Sequence, residues 1–227
     1  MNFLLSLLQL TDPTLPIGGY AHSAGLETYV QRGLVHNLAT AKEFITGMLE
    51  QNLQYNDAAF VSLAYDAAAT NDQKKMLELD QLCTAVKLPR EIRQASQKLG
   101  LRLSKIFAPL VQDEFTKDYQ NAVQQQLAMG HYCLAFGMYA QAMGIPKKET
   151  IQAFYYNAAV GFVTNCVKLV PLGQQDGQEM LFALQPLLEK LANATMSPDP
   201  DLLGLCSTGF DIRCMQHEQL YSRLYMS

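Results

Sequence analysis

The chain has 227 residues, 49% hydrophobic and 17% charged, with a net charge of −4. A chain of this length buries roughly 70–75% of the surface its unfolded form exposes, so its core needs no disulfide or metal staple. The mildly negative total excludes the basic field that a nucleic-acid partner requires.

Met1 to Leu10 is an apolar opening run, but it lacks a positive leader and a small-residue cleavage site. It also stops too early to cross a bilayer. No other stretch reaches the length of a membrane span, so the expectation is a cytoplasmic protein with no membrane partner. Thr11-Asp12-Pro13 and Pro16-Ile17-Gly18-Gly19 then form a loop that is first rigid and then permissive, because proline fixes φ and paired glycines release it. Residues 1–20 are read as this segment and its Pro-Gly-Gly loop. A helix is predicted from about Ala21 to Arg32, ending near Gly33.

Thr40-Ala41-Lys42-Glu43 has the form of a capping box. It predicts a long helical stretch to about Ala69, broken near Tyr55-Asn56-Asp57. Asn71-Asp72 opens another helix, with Met76, Leu79, Leu82, Cys83 and Val86 at three- and four-residue spacing. Pro89 at a first helical position launches a helix toward Phe107, which Pro109 stops. Glu114 to Gln126 reads as a polar helix and His131 to Met143 as an apolar one. Lys148 to Val170 follows, is interrupted by Pro171-Leu172-Gly173-Gln174, and resumes from Gly177 to Ala194. From Pro198 to Ser227 the composition predicts an irregular tail with at most a short helical turn near its end. The expectation is an all-α, single-domain bundle of about seven to ten helices spanning residues 1–227.

Chemistry is hard to find along this chain. There is no GxxxxGK[ST] phosphate loop, since Gly18-Gly19 is followed by no lysine before Lys42. No GxSxG is present, and no cysteine sits in an electropositive context that would activate it. Asp113-Glu114 are adjacent and serve as helix-start charges. Cys83, Cys133, Cys166, Cys206 and Cys214 form no CxxC pair, and read as reduced, mostly buried thiols. The nearest approach to a metal set is Cys206, Cys214, His217 and Glu218, in which Cys214 and His217 share a helical face; it is not a closed four-ligand site. No catalytic residue and no cofactor are expected. The tail does carry tyrosines and arginines, the residue types that dominate interface hot spots.

Four segments in order are similar to the UreF family of urease accessory proteins. They are Leu8-Gln9-Leu10 with Leu15 to Tyr20, Ser23 and Gly25-Leu26-Glu27; Ala135-Phe136-Gly137 with Gly144-Ile145; Val167-Lys168-Leu169-Val170-Pro171-Leu172-Gly173-Gln174; and His217-Glu218 through Arg223-Leu224 to Ser227. His22 departs from the family, where an aromatic is more usual, and Ala67 to Leu88 carries little family signal.

The resemblance implies an all-α fold that forms a homodimer and binds the accessory protein UreD (UreH in some species). Together these recruit the nickel-carrying GTPase UreG onto the urease apoprotein. On that basis a partner-binding set is expected: Pro16, Gly18, Gly19 and Tyr20 in the loop, Glu27 on the next helix, Lys168 and Gln174 around the later break, and His217, Glu218, Tyr221, Arg223 and Leu224 in the tail. Glu27 is expected to offer a carboxylate to the GTPase, and Arg223 to anchor the tail. The alternative is a stand-alone nickel-binding metallochaperone.

Overall fold

The computed structural model describes residues 3–226. Its helices in chain order are α1 (Phe3–Leu10), α2 (Leu26–Gln31), α3 (Leu38–Gly47), α4 (Asp57–Ala69), α5 (Gln73–Val86), α6 (Arg90–Phe107), α7 (Glu114–Gln124), α8 (Tyr132–Ala142), α9 (Lys147–Leu169), α10 (Gln174–Ala194) and α11 (Thr208–His217). Short 3-10 turns cover Gly19–Ala21 and Pro200–Leu202, and a π-helical stretch, Met48–Leu53, continues α3. The described residues contain no strand, so the all-α expectation holds.

The centre is the pair α4 and α8. Their sequences, DAAFVSLAYDAAA and YCLAFGMYAQA, are rich in small residues, and Cys133 to Ala140 is buried without interruption. Small side chains let the two backbones approach closely. At Gly137 the approach is closest, because a Cβ there would stand 2.4 Å from the Val61 carbonyl oxygen. Phe136 packs edge-to-face on Phe154 of α9, at 5.1 Å between ring centres, which ties α9 to the same core. α6 buries Ala95, Ser96, Gly100, Leu103 and Phe107, the three- and four-residue rhythm of a one-faced helix.

Polar pins hold the layers in register. Asp80 is buried and accepts hydrogen bonds from the Tyr119 hydroxyl at 2.6 Å and from the amides of Met129 and Gly130. Buried Lys87 and half-buried Asp57 form an ion pair at 2.6 Å, and against the opposing effect of burial the neighbouring carboxylate holds the lysine above its ordinary pKa.

Three expectations are corrected. α3 begins at Leu38, and the cap is Asn37: its side chain accepts from the Thr40 amide, while the Thr40 hydroxyl accepts from the Asn37 amide. Thr40 is therefore the third residue of the box and not its first. The helix expected from Ala21 is cut short, because Ala24 and Gly25 take positive φ (52° and 76°) before α2 starts. That turn brings Gly25 so close to α11 that a Cβ would lie 2.7 Å from the Cys214 sulfur. Finally, the tail is not irregular from Pro198. It contains α11, ten residues whose Phe210, Cys214 and His217 are buried. Spaced four and three apart, these place one face of α11 against α2 and α6.

Candidate functional site

Five of the expected site residues, Glu27, His217, Glu218, Arg223 and Leu224, converge where the tail crosses α2 and α6. Glu27 opens α2 and is only 4% exposed. Its carboxylate accepts from two consecutive tail amides, Leu224 at 2.8 Å and Tyr225 at 3.2 Å. The same group faces His217 Nε2 at 3.2 Å. His217 is fully buried, and its Nδ1 lies 2.7 Å from Glu91 of α6. Each ring nitrogen thus faces a carboxylate oxygen, one from α2 and one from α6.

The clasp continues outward. The other oxygen of Glu91 accepts from Arg223 at 2.6 Å, and Arg90 donates to Glu218 at 2.7 Å. The Met226 amide donates to the Ala21 carbonyl at 2.8 Å, and the Gln31 side chain reaches the Ser222 carbonyl. A buried carboxylate is costly unless its oxygens are satisfied, and here each oxygen of Glu27 has a donor. Burial pushes the Tyr225 hydroxyl above its ordinary pKa, with the Glu27 charge acting in the same direction.

Through Met226 the tail reaches Ala21, at the end of the turn that follows the Pro-Gly-Gly loop. Gly18 is left-handed (φ 83°), and a Cβ there would collide with the Arg102 guanidinium, which donates to the Ile17 carbonyl at 2.9 Å. On α9, the Asn165 side chain donates to the His22 carbonyl at 2.9 Å. Lys168 lies three residues further along α9 and is exposed. Burial lowers the His22 pKa, and Lys98 and Arg102 reinforce the effect.

Outward from this framework point Tyr20, 78% exposed, Leu224, 81% exposed, and Tyr221, which is fully exposed. Pro16 and Gly19 are also exposed, whereas Gly18 is half-buried. The geometry thus fixes backbone firmly while leaving large side chains facing solvent.

Two expectations change. Glu27 does not offer a free carboxylate on a helix surface; its oxygens are taken by the chain's own tail and His217. Arg223 does meet a carboxylate, but that partner is Glu91 of the same chain. Gln174 is exposed at the start of α10 and takes no part in the clasp. The loose metal set is not assembled either. Cys206 faces Asp211 at 3.2 Å, Glu218 turns to Arg90, and burial raises the Cys214 thiol well above its ordinary pKa. Among the described residues no group of three or more His, Cys, Asp or Glu side chains is arranged to hold a metal ion.

Sequence reasoning missed Glu91, Arg90, Arg102 and Asn165. Glu91 in the first turn of α6 reads locally as an ordinary helix-start charge, and its partners lie 126 and 132 residues away.

Comparison with known proteins points to one family. The UreF family profile matches residues 35–185. A urease accessory protein UreF from Actinobacillus pleuropneumoniae serotype 5b (strain L20) is 51% identical over 227 residues, covering all of both chains. Another from Haemophilus influenzae (strain ATCC 51907 / DSM 11121 / KW20 / Rd) is 48% identical over 98% of this chain and 94% of its own. A third, from Bacillus sp. (strain TB-90), is 33% identical over the whole of both. With a compact all-helical core, a tail clasped onto α2 and α6, and full-length relatives of one kind, this chain belongs to the UreF family of urease accessory proteins.

Proposed function

We propose that the chain serves urease maturation as a non-catalytic scaffold, and that the face formed by the Pro-Gly-Gly loop and the clasped tail is its recruitment surface. In this reading it works as a cytoplasmic homodimer with UreD (UreH). The surface then receives UreG, which carries nickel to the urease apoprotein. Pro16, Gly18, Gly19, Tyr20, Tyr221 and Leu224 form the contact, with Lys168 and Gln174 at its margin. Glu27, His217, Glu218 and Arg223 hold it in shape from behind.

The observation that carries the reading is the grip of Glu27 on the Leu224 and Tyr225 amides. Exposed tail residues are ordinarily loose. Here the backbone is tied while Tyr221 and Leu224 face solvent. A surface fixed before docking loses less entropy on binding, which leaves more interaction free energy for affinity. Stand-alone nickel carriage gains no such support, because both nitrogens of His217 already face carboxylates.

The test is recovery of UreG by complexes of UreD with the wild-type chain or with Arg223→Ala. Loss of the Glu91 contact loosens the tail and should weaken assembly by about 2–4 kcal/mol, the hot-spot range. Equal recovery would overturn the proposal.

A further inference from the structure

A second surface lies at the other end of α11. A groove of about 720 Å³ runs between the α3–π segment and the Leu205–Phe210 stretch. Tyr29 and Phe44 pack on each other inside it, 5.0 Å between ring centres, and exposed Leu34 and Leu205 stand among its lining residues. α11 separates it from the clasp: Thr208, Gly209 and Phe210 line the groove, whereas His217 closes the clasp.

Two independent features say what the groove accommodates. The first is charge. Glu43 and Glu50 both line it, and no lysine, arginine or histidine does. Glu50 has only a long surface contact with Lys190, at 3.9 Å. The two carboxylates are seven residues apart on one helical run, roughly 10 Å along its axis. Cationic groups at a matching separation would satisfy both.

The second feature is the pair of glycines on opposite walls. Gly47 has ordinary right-handed helical backbone (φ −60°), and Gly209 lies within α11. Glycine weakens a helix relative to alanine, so it usually marks a place where packing forbids a side chain. Within this chain nothing does so: a Cβ at either position meets no atom within 4 Å. Gly100, Gly137 and Gly177, by contrast, are each crowded by their own fold. Gly161 of α9 also faces open space, but it does not line the groove. Open space on both walls allows a second backbone to approach closely. The wall between Glu43 and Gln51 includes part of the π-helical stretch, a rare form that recurs at functional sites.

From this we infer that the groove between α3 and α11 docks an amphipathic helix of another protein, with aliphatic side chains on the aromatic floor and two basic residues, about two turns apart, against Glu43 and Glu50. A helix fits better than an extended strand, because no sheet edge exists among the described residues to pair with one.

The experiment places the photo-crosslinking residue p-benzoylphenylalanine at exposed Gln51, in cells expressing the full set of urease proteins, with a second probe at Tyr20. The expected product at Gln51 is a peptide from another protein, helical in that protein and carrying lysine or arginine two turns apart. Gly47→Leu fills the groove while favouring the helix. It should leave the melting temperature no lower and reduce the Gln51 crosslink at least tenfold. Glu43→Gln with Glu50→Gln should reduce it at least fivefold. The inference is overturned by no crosslink at Gln51, by a crosslink to an acidic segment or a second copy of this chain, or by an undiminished yield in Gly47→Leu. The Tyr20 probe reads the recruitment face separately, so its failure counts against that proposal alone.

Discussion

Glu27 and His217 meet at 3.2 Å in the interior although 190 residues separate them in the chain. Around this contact the last turn of α11 and the tail beyond it are bound to the first turns of α2 and α6. The arrangement makes the carboxylate of Glu27 the one group shared by helix, imidazole and tail backbone.

Replacing Glu27 with alanine should release the tail. The Leu224 and Tyr225 amides can turn to water once freed, but His217 keeps a buried nitrogen that has lost its partner, so the cost is about 2 kcal/mol. Glu27→Gln should be milder, since its amide oxygen still accepts from one tail amide. Hydrogen exchange reads the effect directly. The Leu224 and Tyr225 amides should lose protection in Glu27→Ala while the α4 and α8 amides keep theirs; unchanged tail protection would contradict the clasp.

How much of this was legible in the sequence depended on distance along the chain. α8 and α9 were readable to within a residue or so because Gly130 and Gly144-Ile145-Pro146 punctuate apolar runs, and local signals suffice there. The break at Pro171 was readable for the same reason, although α10 already resumes at Gln174, three residues before the expected Gly177. α11 was missed because Gly204, Ser207 and Gly209 resemble loop composition, and only the buried Phe210, Cys214 and His217 face stabilises it as a helix. The clasp was half legible: Glu27, His217, Glu218 and Arg223 were all singled out, but as surface for a partner. Nothing within a few residues of Glu27 reveals that its ligands are amides at 224 and 225. The Asn37 cap was displaced by three positions because Thr40 carries a hydroxyl that suits either end of a capping box.

Gly137→Ala should be among the most damaging single-methyl changes in the protein. The added Cβ would lie 2.4 Å from the Val61 carbonyl oxygen and 3.2 Å from the Tyr65 nitrogen, both backbone atoms that cannot rotate away. α4 and α8 must then separate, at a cost of about 1–3 kcal/mol for overpacking a tight core. Chemical denaturation should show a lower midpoint. Gly161→Ala on α9, where nothing lies within 4 Å of the added carbon, should be neutral or stabilising and serves as the control.

Thiol chemistry should be confined to one position. Cys206 is exposed, whereas Cys83, Cys133, Cys166 and Cys214 are buried. Burial also pushes the Cys166 thiol up to about 12, which suppresses its reactive thiolate. Cys83 departs from the sequence expectation: burial raises its thiol, but the Cys133 thiol, Lys87 and His131 beside it outweigh that and lower it, so its protection rests on its complete burial. A maleimide applied to the native protein should therefore add once and quickly, and Cys206→Ser should remove that fast addition. Rapid labelling of two or more cysteines in the native state would show that the core is looser than the structure describes.

His22 should contribute a pH dependence of definite sign. Burial lowers its pKa in the folded chain, and Lys98 and Arg102 add to the shift, while Glu91 opposes it. A histidine with a depressed folded pKa favours the folded state when neutral. Its contribution is fully present above the unfolded value, near 6.5, and is lost as pH falls through the folded one. The wild-type melting temperature should thus fall more steeply between about pH 7 and pH 5 than that of His22→Gln. The contact from Asn165 goes to the His22 carbonyl, so this substitution leaves it in place. Parallel melting curves for the two proteins across that interval would show that protonation of His22 is not coupled to folding.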